Sequence, residues 1–287
     1  MPLFTDKLTK TRTTWKAWYA VFAPLALILG SQLPFFTQFL SSFLFAESLQ
    51  NFFLTIATPI QFIGFVCIAL LFIRIVSRTW PTTEDLGLTA TIRPKDLALL
   101  LVVFLVTHLF FKILFLGETG GKAQAVQLFE DLGLKNGLPY AIAMVTSSVV
   151  LAPVCEELLY RGIILRAIHD GLARKIPLPL AVFASLLVSS VLFAMPHLSD
   201  SLFNKIALAY LVSGLAFSFV YIQTGSLTAA MVSHSLQSCY AFATVLLYGK
   251  GSTSVSPAIY LLVFGCPLWT YCCARALYVL FPKHSSR

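Results

Sequence analysis

The run Ala152-Pro153-Val154-Cys155-Glu156-Glu157-Leu158-Leu159-Tyr160-Arg161-Gly162-Ile163-Ile164-Leu165 sets two adjacent carboxylates inside an apolar stretch that reaches from about residue 138 to 168. That stretch is far too long for a strand and shows no period-two alternation. At about 20 apolar residues per crossing it reads as a membrane helix. A charged side chain at the bilayer centre costs roughly 2.5–3.5 kcal/mol or more, so the pair needs a reason to be there. On a helix Glu157 and Arg161 lie one turn apart on one face, in the favourable acid-before-base order. Glu156 lies about 100° round the helix, free to face a cavity. Pro153 removes one backbone donor just ahead of the pair.

The rest of the chain has the same character. Of 287 residues, 58% are hydrophobic and 11% charged, against about 25% charged in a globular domain. Mean hydropathy is +0.84. Such a composition cannot clothe a soluble enzyme, a disordered chain or a protein with a single anchor. Eight apolar stretches stand out, at about 17–40, 52–76, 97–116, 138–168, 179–197, 205–223, 226–247 and 257–281. The expected fold is all-α, a polytopic bundle of about eight transmembrane helices, because a closed helical backbone is what lipid tolerates here. The chain reads as one integral-membrane domain over residues 1–287, with the chemistry concentrated in about 138–247. The polar stretches 77–96 and 117–137 are too short to be domains.

The net charge of +8 does not point to nucleic acid. No basic run is long enough to track a phosphate backbone. Apart from Lys112, near the outer end of the third stretch, the basic residues instead divide by side. Lys7, Lys10, Arg12, Lys16, Arg74, Arg78, Arg93, Lys95, Arg161, Arg166, Arg174, Lys175, Arg275, Lys283 and Arg287 fall to one side, and Lys122, Lys135, Lys205 and Lys250 to the other. The positive-inside rule then puts both termini in the cytoplasm of a multi-pass protein of the cell membrane. The basic, then apolar N-terminus reads as a first span that stays. The six cysteines lie in or beside spans and read as small apolar fillers.

Ten of the twelve acids fall in loops or at span ends, which leaves Glu156 and Glu157 inside. Among the histidines, His169 and His284 read as solvated loop and tail residues, and His108 as a packing residue. His197 closes the fifth stretch in Phe193-Ala194-Met195-Pro196-His197. His234 lies within the seventh, in His234-Ser235-Leu236-Gln237-Ser238, with Ser238 one turn on. Two membrane histidines and a buried Glu pair on three helices are the parts of a hydrolytic site. The rival classes are a transporter with a proton relay, for which an internal repeat is missing, and a scaffold.

The ordered set Glu156-Glu157-x-x-x-Arg161, Phe193-x-x-x-His197 and His234-x-x-x-Ser238 resembles the CPBP family of intramembrane proteases, the CAAX-protease and bacteriocin-processing (Abi) relatives. The lead-in Glu84-Asp85-Leu86-Gly87-Leu88 is similar to that of bacterial members. The resemblance implies a membrane-embedded endopeptidase that acts on a peptide or protein substrate, membrane-anchored in some members, with lipid as its other partner. It implies Glu156 as general base and His197 as the group that orients the water. Glu157 and Arg161 would hold the constellation, and His234 with Ser238 would face the oxyanion. The family commonly has Asn where Ser238 stands, so a shorter donor takes that place. Two alternatives stay open. Glu156, His197 and His234 would serve a Zn²⁺-dependent metalloprotease with a fourth position left for water. A non-catalytic scaffold or bacteriocin-immunity protein would use the same fold without the chemistry.

Straight-helix counting raises one conflict. At about 1.5 Å per residue, Glu157 lies about 17 Å from the inner end of its stretch and His234 about 12 Å, whereas His197 lies nearer 28 Å. For these groups to meet, the fifth span must begin deeper, or the helices must tilt.

Overall fold

In a computed structural model, residues 6–8, 13–36, 39, 47–117, 121–131, 137–197, 205–251 and 254–283 are described, and among them are helices and turns but no strand. Lys10, Arg12, Lys135, His284 and Arg287 lie outside these residues. The long elements are α1 (Ala17–Phe36), α2 (Glu47–Ser77), α4 (Pro94–Leu114), α6 (Leu138–Leu172), α7 (Leu178–His197), α8 (Lys205–Thr224), α9 (Leu227–Thr244) and α10 (Pro257–Leu280). Two short ones, α3 (Thr83–Leu86) and α5 (Gly121–Asp131), occupy the polar stretches read above as loops.

Seven of the described helices are long and apolar enough to cross a membrane: α1, α2, α4, α6, α7, α8 and α10. The eighth expected span, α9, is helical and runs on through Val245–Gly249. Its Ser233, His234, Ser235, Gln237 and Ser238 keep it out of the apolar set. It is packed against α8, α10 and the middle of α6, so much of that polarity is turned inward.

The conflict in level is eased at both ends. α6 extends to Leu172 rather than 168, which puts Glu157 about 23 Å from that end and within about 5 Å of the level of His197. The turn between α8 and α9 does not reach the surface. The segment from Thr82 to Arg93 covers it. Thr82 and Asp85 form a capping box at the start of α3, and Gly87 closes that helix at φ 70°. Gly87 is required there, because a Cβ would come within 2.6 Å of the Tyr221 hydroxyl. The Gly87 carbonyl then accepts from the Leu227 amide at 2.7 Å, and Tyr221 donates to the Leu86 carbonyl at 2.9 Å. Thr89 bonds both Ser226 and Thr228. α9 therefore starts beneath a protein lid, and His234 needs only two turns to reach the level of the acids.

The same end of α6 overturns one reading. His169 is not in a solvated loop; it and Arg166 are both fully buried. His169 sits between Asp170 (2.7 Å) and Asp6 (2.8 Å), and Arg166 pairs with Asp170 at 3.0 Å. Asp170 also accepts from the Thr13 amide at 2.7 Å, and Arg174 donates to the Thr13 and Trp15 carbonyls. The chain ahead of α1 is laid across the end of α6, and that cover takes these groups out of water.

Candidate active site

Glu157 is fully buried at the centre of α6. Its Oε1 accepts from Arg161 Nη1 at 2.8 Å and from His234 Nδ1 at 3.0 Å. Its Oε2 is buried without a hydrogen-bond partner. Arg161 also donates to the Gly214 carbonyl at 2.8 Å and the Ser218 hydroxyl at 3.3 Å, both on α8. Its guanidinium lies 4.7 Å from the Phe193 ring centre and 5.3 Å from that of Phe217. A carboxylate, a carbonyl, a hydroxyl and two π faces thus share one buried cation, the environment a charge needs out of water.

His234 is aimed by its surroundings. Its ring stacks on Phe217 at 4.5 Å and meets the edge of Phe193 at 5.6 Å. The oxygen that takes the Arg161 N–H serves as an acceptor, so in the shared contact His234 Nδ1 donates, which leaves Nε2 as the ring's outward nitrogen. α9 is held next to this point by α6. Pro153 has no amide hydrogen to give the carbonyl four residues back, at Val149. Ser235 fills that vacancy, donating to Val149 O at 3.0 Å, and Thr270 of α10 bonds Ser235 in turn. Flanking the proline, Ser147–Leu151 and Leu158–Leu165 are wound as π-helix, a form that recurs at functional sites.

Glu156 faces the other way. With Tyr160, Pro196 and His197 it lines one side of a cavity of about 270 Å³. Leu27 and Ser31 of α1, and Gln61, Phe62 and Phe65 of α2, line the rest. Phe193 accounts for the four-residue spacing to His197: its carbonyl accepts from His197 Nδ1 at 3.0 Å. That bond leaves His197 Nε2 with a lone pair free to accept. The His197 ring stacks on Tyr210 of α8 at 4.1 Å and 20°. The Phe193 ring also lies 5.4 Å from His197, so one side chain separates the two histidines.

The six residues singled out in the sequence are therefore disposed as follows. Glu157, Arg161 and His234 form one hydrogen-bonded network; Glu156 and His197 share the adjoining cavity. Ser238 is half-buried one turn beyond His234 and makes no hydrogen bond to either group. Phe193, already quoted in the sequence motif, and Tyr210, Gly214, Phe217 and Ser218, which no motif singled out, support the network. The zinc alternative fits poorly. Among the described residues no three His, Cys, Asp or Glu side chains converge as a metal set. His108, read as a packing residue, bonds the Phe104 carbonyl at 2.9 Å and meets Tyr240 edge-on.

Residues 138–240, which hold the Glu pair and both site histidines, match the family model described as type II CAAX prenyl endopeptidase Rce1-like. An uncharacterized protein of Mycoplasma capricolum is 26% identical over 149 residues, which is 50% of this chain and 40% of that relative. The chain thus spans well under two thirds of the length of the curated relative it matches. No solved structure matches the chain. The matched segment, which holds the side chains of this site, is thus similar to the type II CAAX prenyl endopeptidases.

Proposed function

We propose that this multi-pass membrane protein is an intramembrane endopeptidase that hydrolyses a peptide bond with a water activated by Glu156. The observation that carries the reading is the division of labour between adjacent carboxylates. Glu157 is spent on Arg161 and His234, while Glu156 opens onto a cavity beside His197. The free lone pair of His197 Nε2 accepts one hydrogen of the water and Glu156 takes the other. The hydroxide attacks the carbonyl, and Glu156 returns the proton to the leaving amine. His234 faces the developing oxyanion and donates to it from Nε2 when that nitrogen also carries a proton. Ser238 adds a weaker, shorter contact from one turn further along α9. No step uses a metal, so activity is expected to survive exhaustive chelation, and loss of activity restored by added Zn²⁺ would reverse this reading.

The substrate is a peptide or protein, membrane-anchored in keeping with a cavity lined by membrane spans. The protein belongs to the cell membrane with both termini in the cytoplasm, as the basic residues are distributed. The test is a comparison of membrane peptides from cells with the parent protein and with Glu156→Gln at equal membrane level. A set of cleaved termini lost with Glu156→Gln supports the protease. Identical peptides with intact biological function would instead mark a scaffold.

A further inference from the structure

The wall of the cavity opposite Glu156 lies outside the segment that matches the family model. It is built by α1 and α2, and all of its side chains but two are hydrocarbon. Ser31 is satisfied, since it donates to the Ile28 carbonyl at 2.7 Å. Gln61 is different. It lines the cavity, is only partly buried, and makes no hydrogen bond among the described residues. A primary amide in a membrane span without a partner is costly, and it is not retained for packing that leucine would do as well. Its depth is that of the chemistry. α2 and α6 run in the same direction, and Gln61 lies as many residues ahead of Ser77 as Glu156 lies ahead of Leu172, about 24 Å in each case.

From this juxtaposition we infer that Gln61 is a substrate-binding residue that pairs with the main chain of an extended peptide lying between α2 and the Glu156–His197 wall. The inference rests on the proposed function and deepens it. A peptide in this cavity brings amide N–H and C=O groups that phenylalanine and leucine walls cannot satisfy. A carboxamide offers both a donor and an acceptor, so it serves one peptide group as a neighbouring strand does. Recognition of this kind is indifferent to the side chains of the substrate. It requires that the segment be unwound, because a helical peptide has already used those groups.

The experiment uses the full-length protein in lipid nanodiscs with a fluorogenic farnesylated CAAX peptide. A second peptide carries an ester in place of the amide next to the scissile bond. Gln61→Leu, which suits a membrane span, is compared with the parent and with Glu156→Gln. The expected result is a KM about tenfold higher for Gln61→Leu, the size of one lost neutral hydrogen bond, with kcat within about twofold. The ester is expected to weaken the parent by a similar factor and to leave Gln61→Leu unaffected. Equal KM in parent and Gln61→Leu, or an ester effect of the same size in both, overturns the role of Gln61 while leaving the protease intact. A Glu156→Gln variant that cleaves the peptide at the parent's rate refutes the proposed mechanism and the role of Gln61 with it.

Discussion

Arg161 shows how a single residue makes the site affordable in a membrane. It neutralises Glu157, and α8 supplies the remaining acceptors at Gly214 and Ser218. Arg161→Met should therefore be severe, since it strands a buried carboxylate at a cost of about 3–5 kcal/mol. The expected outcome is loss of folded protein in detergent, read by size-exclusion recovery and thermal unfolding. Ser238 should matter far less. It makes no hydrogen bond here, not even the return to a carbonyl one turn back that Thr244 makes to Tyr240. If it assists the oxyanion, Ser238→Ala should slow cleavage about tenfold, below the roughly 100- to 1000-fold loss of a full oxyanion donor. Ser238→Asn should keep the rate or raise it. Parental activity in Ser238→Ala with an inactive Ser238→Asn would mark the position as packed. The acids and histidines were legible in the sequence because ionisable groups in apolar runs are conspicuous. Most of their supports were not, because Phe217, Gly214 and Ser218 are ordinary membrane residues until a neighbouring helix arrives.

Between elements, the contacts that align the site are small. Pro153 on α6 frees a carbonyl, and Ser235 on α9 takes it, beside His234. Ser235→Ala should cost roughly 0.6 kcal/mol, and at most about 1.7, the range of interhelical hydrogen bonds in a membrane. It should lower the unfolding temperature slightly and the cleavage rate more, because α9 loses its register against Glu157. Gly214 lets α8 approach α7. A Cβ there would lie 3.0 Å from the Ser190 Cα, so Gly214→Val should part the helices, draw the carbonyl off Arg161 and lower both stability and activity. Helix existence and order were readable from apolar length alone. The depth of each helix was not. The ends of α6 and the start of α9 are set by the covering segments 82–93 and 13–17, whose polar side chains read in sequence as loop. His169 was misplaced for that reason.

At the scale of the molecule, the bundle is held at one end by the chain ahead of α1. Asp6 reaches the end of α6 through His169, and the Lys7 amide donates to the Ile222 carbonyl of α8 at 3.1 Å. Asp6→Ala should loosen this cover, seen as faster proteolysis near the N-terminus with the Glu157 network intact. The distribution of Lys and Arg predicts that a reporter fused after residue 250 reads on the opposite side from one at the C-terminus, and the same side for both would invert the topology. The central claim, however, is chemical: one carboxylate of the adjacent pair is structural and the other is the base. The measurement that tests it most directly is the single-turnover cleavage rate of purified Glu156→Gln against the parent, with folding matched by thermal unfolding. The account predicts a loss of roughly 100- to 10,000-fold, the contribution of a general base, with unfolding temperature unchanged. A Glu156→Gln variant that cleaves at the parent's rate would contradict it.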